Sequence, residues 1–231
     1  MAAWRRRGGA QCRRGGQARV APTAPAGDPS TGGGTAEELG ADPGRLELIL
    51  GPMFAGKTTT LINRVLELRD TQNKRVVCVK SATDSRFSTS EIVSHDEVKL
   101  PCIAVERLSQ LTQLCVLDSY DVVAVDEAQF FPDGDLLSFV MDAVDKRHLH
   151  VIVAGLDSDF QRKAFGDTTK IVHLADSVKK LRAWCTCGRP APFTTRIVED
   201  QARTLVGGRD EYQPACRRCY TKANLRAPGG R

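Results

Sequence analysis

Between residues 45 and 156 the chain alternates short apolar runs with longer segments whose apolar residues recur every three or four positions. "RLELIL" (45–50), "RVVCVK" (75–80), "YDVVAVD" (120–126) and "HLHVIVAGL" (148–156) are short, rich in β-branched residues and bounded by polar residues or glycine, which predicts strands. "KTTTLINRVLELRD" (57–70) sets Leu61, Val65 and Leu68 on one face, and "DLLSFVMDAVDKR" (135–147) does the same with Leu137, Val140, Met141 and Val144. Both predict helices. "PCIAV" (101–105) reads as a further strand, 106–117 as a helix, and the polar stretch 81–98 as a loop. Strands that alternate with helices in this way form a parallel sheet covered on both faces.

The alternation defines the boundaries. Residues 45–181 read as an α/β domain, and 182–223, where cysteine pairs, glycine and proline replace the periodic pattern, as a small second domain. Residues 224–231 read as a disordered tail. Residues 1–44 are rich in Arg, Gly, Ala and Pro and cannot bury enough apolar surface to order themselves. They read as a disordered tail or as an organelle-targeting segment, because no acid precedes Asp28; near-absence of serine argues against targeting.

Charge changes this picture little. The net +5 comes from Arg5, Arg6, Arg7, Arg13, Arg14 and Arg19; from residue 28 onward 27 basic residues face 28 acidic ones. Bulk charge therefore gives no support for nucleic-acid binding. No apolar run is long enough to predict a membrane span. Of the eight cysteines, Cys78, Cys102 and Cys115 sit in apolar surroundings as small thiols, Cys12 lies in the tail, and four form close pairs.

The chemistry begins at "GPMFAGKT", which is Gly51, Pro52, Met53, Phe54, Ala55, Gly56, Lys57 and Thr58. It matches a phosphate-binding loop, with the strand before it and the helix after it that the motif needs. The glycines allow turns that aim N–H groups at a phosphate, and the following helix adds its positive end. Lys57 suits the β- and γ-phosphates and Thr58 a Mg²⁺ ion. "VVAVDE" supplies the second half: Asp126 ends an apolar strand and suits Mg²⁺, while Glu127 is a candidate general base. These residues serve an ATPase that activates water and a kinase that activates a hydroxyl equally well. One alternative is thus an ATPase whose cysteine module binds nucleic acid or protein.

The chain from Leu46 to about Ala223 resembles the type II, zinc-containing thymidine kinases, with an overall pattern like that of the plant members. The motifs that carry the resemblance are "GPMFAGKT", "DSRFS" with "SHD", "DEAQFF", "GLDSDFQRKAFG", "VGGRDEY" and "CRRCY". It implies an ATP-binding α/β domain, a small zinc-binding lasso domain that closes over the nucleoside, and transfer of the γ-phosphoryl of ATP to the 5′-hydroxyl of thymidine. It also implies nucleotide salvage, a homotetramer, end-product inhibition and a cytoplasmic protein. Import into mitochondria or plastids is the alternative compartment that the Arg-rich N-terminus suggests.

Residue by residue, the resemblance makes Glu127 the catalytic base, with Asp126, Ala128 and Gln129 beside it. It puts Asp84, Ser85 and Arg86 near the phosphates. Met53, Leu156, Phe160, Phe165 and Thr194 fall on nucleoside-binding positions. Arg203, Thr204, Leu205, Val206, Gly207 and Tyr212 fall on the lasso.

The resemblance also implies that zinc sits on two CxxC pairs. Cys216 and Cys219 keep that spacing, but Cys185 and Cys187 are one residue closer. A CxC segment has little slack for turning both thiolates inward, so Cys185 is the least certain ligand of a structural site made with Cys187, Cys216 and Cys219.

Overall fold

The computed structural model describes residues 43–83, 90–93, 97–113, 116–198 and 207–226. The expectations for the N-terminal segment through residue 42, for Cys12 and Cys115, for Asp84, Ser85 and Arg86, and for lasso residues 203–206 lie outside the described residues.

In chain order the elements are β1 (Arg45–Leu50), α1 (Lys57–Gln72), β2 (Val76–Ser81), β3 (Glu91–Val93), β4 (Lys99–Pro101), β5 (Ile103–Val105) and α2 (Ser109–Gln113). Then come β6 (Val122–Asp126), α3 (Asp135–Val140), β7 (His150–Gly155) and β8 (Ser177–Lys180). The C-terminal segment holds β9 (Ala183–Trp184), β10 (Pro190–Ala191), β11 (Phe193–Arg196), β12 (Tyr212–Ala215) and α4 (Arg217–Arg226).

Six strands form one sheet in the order β5-β2-β6-β7-β1-β8, and every neighbouring pair is parallel. Alternate residues of each central strand feed different cores. Leu46, Leu48 and Leu50 join Val123, Val125, Val151 and Val153 with Leu136, Phe139 and Val140 of α3. Ile49, Val122, Ala124, Ile152 and Ala154 join Leu61, Ile62, Val65 and Leu68 of α1. A strand buried on both faces carries the near-continuous apolar run seen in the sequence. The expected α/β class, a parallel sheet flanked by helices, is borne out.

Three local expectations need correction. The expected loop 81–98 contains β3, which pairs antiparallel with β4 into a small hairpin. Among the described residues of 106–117, the α-helix covers Ser109–Gln113, and a 3₁₀ turn starts at Val116. The helix from Asp135 keeps α geometry to Val140 and continues as a π-helix over Met141–Lys146. That wider turn carries Met141 off the apolar stripe, and it stands 47% exposed.

β8 escaped the apolar pattern because all four of its residues are exposed. It is held by backbone pairing to β1, from Glu47–Ser177 to Leu50–Lys180.

Candidate functional site

The phosphate loop leaves the C-terminal end of β1 and runs into α1. Gly56 precedes the helix at φ +77°, a left-handed conformation open to glycine at little cost. The Nζ of Lys57 is buried and donates to the Pro52 carbonyl at 2.8 Å, inside the loop. From β6, Asp126 reaches the same helix end, and Thr58 Oγ1 donates to Asp126 Oδ2 at 3.0 Å. This bond ties the two halves of the motif together across the strand that separates β6 from β1.

Burial and the adjacent Glu127 carboxylate push the Asp126 carboxyl up, to about 7, against the hydrogen bond from Thr58. A buried carboxylate beside a hydroxyl and a second carboxylate is a donor set that a divalent cation fits, since the cation stabilises the charged form.

Glu127 turns the chain out of β6 with φ +50° and ψ +42°. Non-glycine residues rarely occupy this region, and here it carries a side chain at the mouth of the site. Gln129 fixes that side chain from behind. Its Nε2 donates to Glu127 Oε2 at 2.5 Å, and its Oε1 accepts from the Leu156 N–H at 2.9 Å. Gln129 is thereby buried and bridges the ends of β6 and β7.

The loop after β7 folds closely around it. A Cβ at Gly166, which has φ +60°, would lie 2.7 Å from the Gln129 carbonyl oxygen. Thr168 closes the loop by donating to the Leu156 carbonyl at 2.6 Å.

A cavity of about 510 Å³ joins these parts. It is lined by Met53 through Thr59, by Glu127 and Leu156, by Val93 and Glu97 from the β3–β4 hairpin, and by Gly207, Gly208 and Arg209. The hairpin residues and Arg209 were absent from the sequence reading. They enter the site through tertiary contact, which no local pattern announces. Arg209 carries a clearer sign: its guanidinium lies 5.5 Å from the ring centroid of Phe54, joining the segment 207–209 to the phosphate loop.

Thr194 also reaches the loop, accepting from the Met53 N–H at 2.9 Å. Phe160 and Phe165 are not among the residues lining this cavity. The Phe160 ring lies beneath the guanidinium of Arg196, 3.9 Å from it, and Phe165 packs edge-on to Phe130 at 5.9 Å. Tyr212 is buried and accepts from Arg196 at 2.7 Å.

The sulfurs of Cys185, Cys187, Cys216 and Cys219 all lie within 4.8 Å of one another. Zinc–sulfur bonds of about 2.3 Å in a tetrahedron put ligands about 3.8 Å apart, so four such thiolates can hold the ion. The CxC spacing is met by a tight turn. Gly188, at φ +77°, donates its N–H to the Cys185 carbonyl at 2.8 Å. The Cys185 N–H in turn donates to Arg189 at 2.9 Å, starting the β9–β10 hairpin. The chain reverses instead of alternating, so both thiols face one centre.

Burial opposes ionisation of Cys185, but the backbone N–H groups of Cys187 and Cys216 outweigh it and bring the thiol down to about 6. Hydrogen bonding with Cys187, Cys216 and Cys185 favours the protonated Cys219 thiol and pushes it up to about 12. A cation is the natural relief for such a cluster.

A phosphate loop paired with a strand-end carboxylate, at the C-terminal edge of a parallel sheet, defines a nucleotide-binding α/β protein. Comparison with known proteins narrows the class. The thymidine kinase family profile matches residues 44–220. A rice thymidine kinase is 43% identical over 199 residues, covering 84% of this chain and 73% of the relative. Thymidine kinase a of Arabidopsis thaliana is 42% identical, covering 77% and 75%. The thymidine kinase of Mesomycoplasma hyopneumoniae is 41% identical, covering 77% and 96%. The chain belongs to the thymidine kinase family.

Proposed function

We propose that the protein transfers the γ-phosphoryl group of ATP to the 5′-hydroxyl of thymidine, giving dTMP and ADP for nucleotide salvage. The observation that carries this reading is the single cavity that joins the phosphate loop, the Glu127 carboxylate and Leu156. An acceptor hydroxyl held there lies between a base and the phosphate-binding backbone. The reading of the chain as an ATPase with a separate binding module is not favoured by the family membership.

Each residue then has a task. The loop N–H groups and the end of α1 bind the phosphates, and Lys57 turns from Pro52 to the transferring group. Thr58 and Asp126 would hold the Mg²⁺ that accompanies ATP, which would supply positive charge beside the phosphates. Glu127 accepts the proton of the 5′-hydroxyl as its oxygen attacks phosphorus. Gln129 positions Glu127. Asp84, Ser85 and Arg86 are proposed to act on the phosphates, and residues 203–207 with Tyr212 to close over the nucleoside. Phe160 and Phe165 are proposed to pack beside the base.

A zinc ion on the four cysteines is proposed as structural, holding the C-terminal segment in place for that closure. Assembly as a homotetramer belongs to the same reading. No helix among the described residues is long and apolar enough to cross a membrane. We take the compartment as cytoplasmic, with mitochondrion or plastid as the alternative; imaging fusions with and without residues 1–44 separates them.

The test is to incubate protein with Mg-ATP with and without thymidine. ADP and dTMP should appear in equal amounts and only with the nucleoside. ADP release that ignores thymidine sinks the kinase reading.

A further inference from the structure

The expectation of no nucleic-acid partner rested on bulk charge, and bulk charge hides a local concentration. Against the cysteine cluster, with Cys216 in its wall, lies an open groove of about 950 Å³. Arg182, Arg189, Arg217, Arg218 and Lys222 line it together with Pro190, and no acidic residue does. A second cavity of about 450 Å³ shares Arg182, Pro190 and Arg217 and adds Phe193 and Lys180, the latter paired with Asp157. The two form one continuous basic track, in a chain that is near neutral beyond its tail.

The cations of the larger groove are exposed, and among the described residues none of the five is in an ion pair. Five like charges facing one groove repel one another, and the one ring contact among them, Arg217 over Phe193 at 4.9 Å, accounts for a single one of the five. A metal with four thiolates carries a charge of about two minus, which offsets only part of them. Four of the five are arginines, whose planar forks suit phosphate oxygens.

A second, independent feature borders the track. Trp184 is 72% exposed, the largest exposure among the large apolar residues described. It is the cross-strand partner of Pro190, and directly opposed residues of an antiparallel pair share a face. An indole left in water beside a cationic groove wastes apolar surface unless a flat ring covers it. Cationic tracks with aromatic platforms bind the backbone and bases of single strands.

We propose that this groove binds single-stranded nucleic acid, with phosphates along the arginines and a base stacked on Trp184. The surface stands apart from the residues assigned to phosphoryl transfer, so the two readings fail independently.

The test uses fluorescence anisotropy with a labelled oligodeoxycytidylate of about 16 nucleotides. The chain is full-length, with Arg5, Arg6, Arg7, Arg13, Arg14 and Arg19 replaced by alanine so that phosphate contacts come from residues beyond them. R218E/K222E should weaken binding at least about tenfold and flatten the logarithmic salt slope by roughly 1.4, the share of two contacts to a single strand. Trp184→Ala should weaken binding roughly 5- to 150-fold. Kinase activity and metal content should stay at parental values, showing that both variants fold. The proposal is overturned by an absence of binding in the parent, or by unchanged affinity in R218E/K222E. It is equally overturned if Trp184→Ala binds normally while inorganic polyphosphate displaces the strand at equal phosphate concentration, because the groove is then a plain anion site.

Discussion

The phosphate loop and Glu127 stand on a six-stranded sheet with apolar cores on both sides, whereas the cysteine-bearing segment has strands of two to four residues. Its own buried cluster is Ala183, Cys185, Ala191 and Cys216. Hydrophobic burial scales with area, so the first region holds its side chains by packing and the second cannot. The second gathers four thiols at one centre and makes a few contacts with the first. Arg162 lies over the ring of Tyr220 at 4.4 Å, and the Tyr220 hydroxyl donates to the Phe160 carbonyl at 2.8 Å. The well-cored region carries the phosphate loop and Glu127, and the weakly cored region brings Thr194 and residues 207–209 against them.

The largest effect belongs to the rigid region alone. Glu127→Gln should lower kcat by roughly two to four orders of magnitude while nucleotide affinity and metal content stay as they are. Near-normal turnover would remove Glu127 from the role of base.

Cys185→Ala should act on the other region alone. Losing one of four ligands removes about a quarter of a metal-binding free energy of ~10–16 kcal/mol, or roughly 100- to 1,000-fold in affinity. Metal analysis after dialysis checks this, and full metal retention would exclude Cys185 from the site. The main thermal transition, which reports the sheet, should move little.

A third prediction follows from acid. Glu47 on β1 is held to about 2 by His150, whose Nε2 lies 3.1 Å from its carboxylate, and by the two hydrogen bonds that Arg64 donates, against the cost of burial. Its folded value lies below the unfolded value of about 4.5. The carboxylate therefore adds its full stability above pH 4.5 and loses it as pH falls towards 2. That contribution is on the order of 3 kcal/mol. Denaturant titrations of the parent and Glu47→Gln should converge across that window. A constant difference would show that Glu47 does not ionise differently on folding.

The smallest effect tests the seam. Thr194→Val removes the acceptor of the Met53 N–H and should cost about 1–3 kcal/mol, with a raised KM for both substrates. Thr194→Ser keeps the hydroxyl and should restore both. If valine is silent, the C-terminal segment does not steady the phosphate loop through this bond.

The sheet and the loop were legible because their signals are local. Four-residue apolar runs, a helical stripe and "GPMFAGKT" each state their geometry within a dozen residues, and the family followed from motif order. Glu127 could be chosen as a candidate but not understood. Its left-handed backbone and the Gln129 bridge to Leu156 depend on β7 and the loop to Gly166, distant in sequence. Val93 and Glu97 stayed hidden because a three-residue strand in a polar segment has no period to detect. At Cys185 the spacing raised a sound doubt. It assumed an extended segment, and Gly188 supplies a turn instead.

β8 has a further consequence, for what the protein avoids. It ends the sheet, so its outer edge offers backbone groups to any passing strand, and such edges seed fibres. The strand reads Ser177-Val178-Lys179-Lys180, short and doubly charged. A second molecule that tried to extend the sheet there would meet the Lys179 ammonium and the Lys180–Asp157 pair, which it would have to desolvate. The residues that hid this strand from the apolar pattern are thus the ones that keep the sheet finite and the protein from polymerising through its edge.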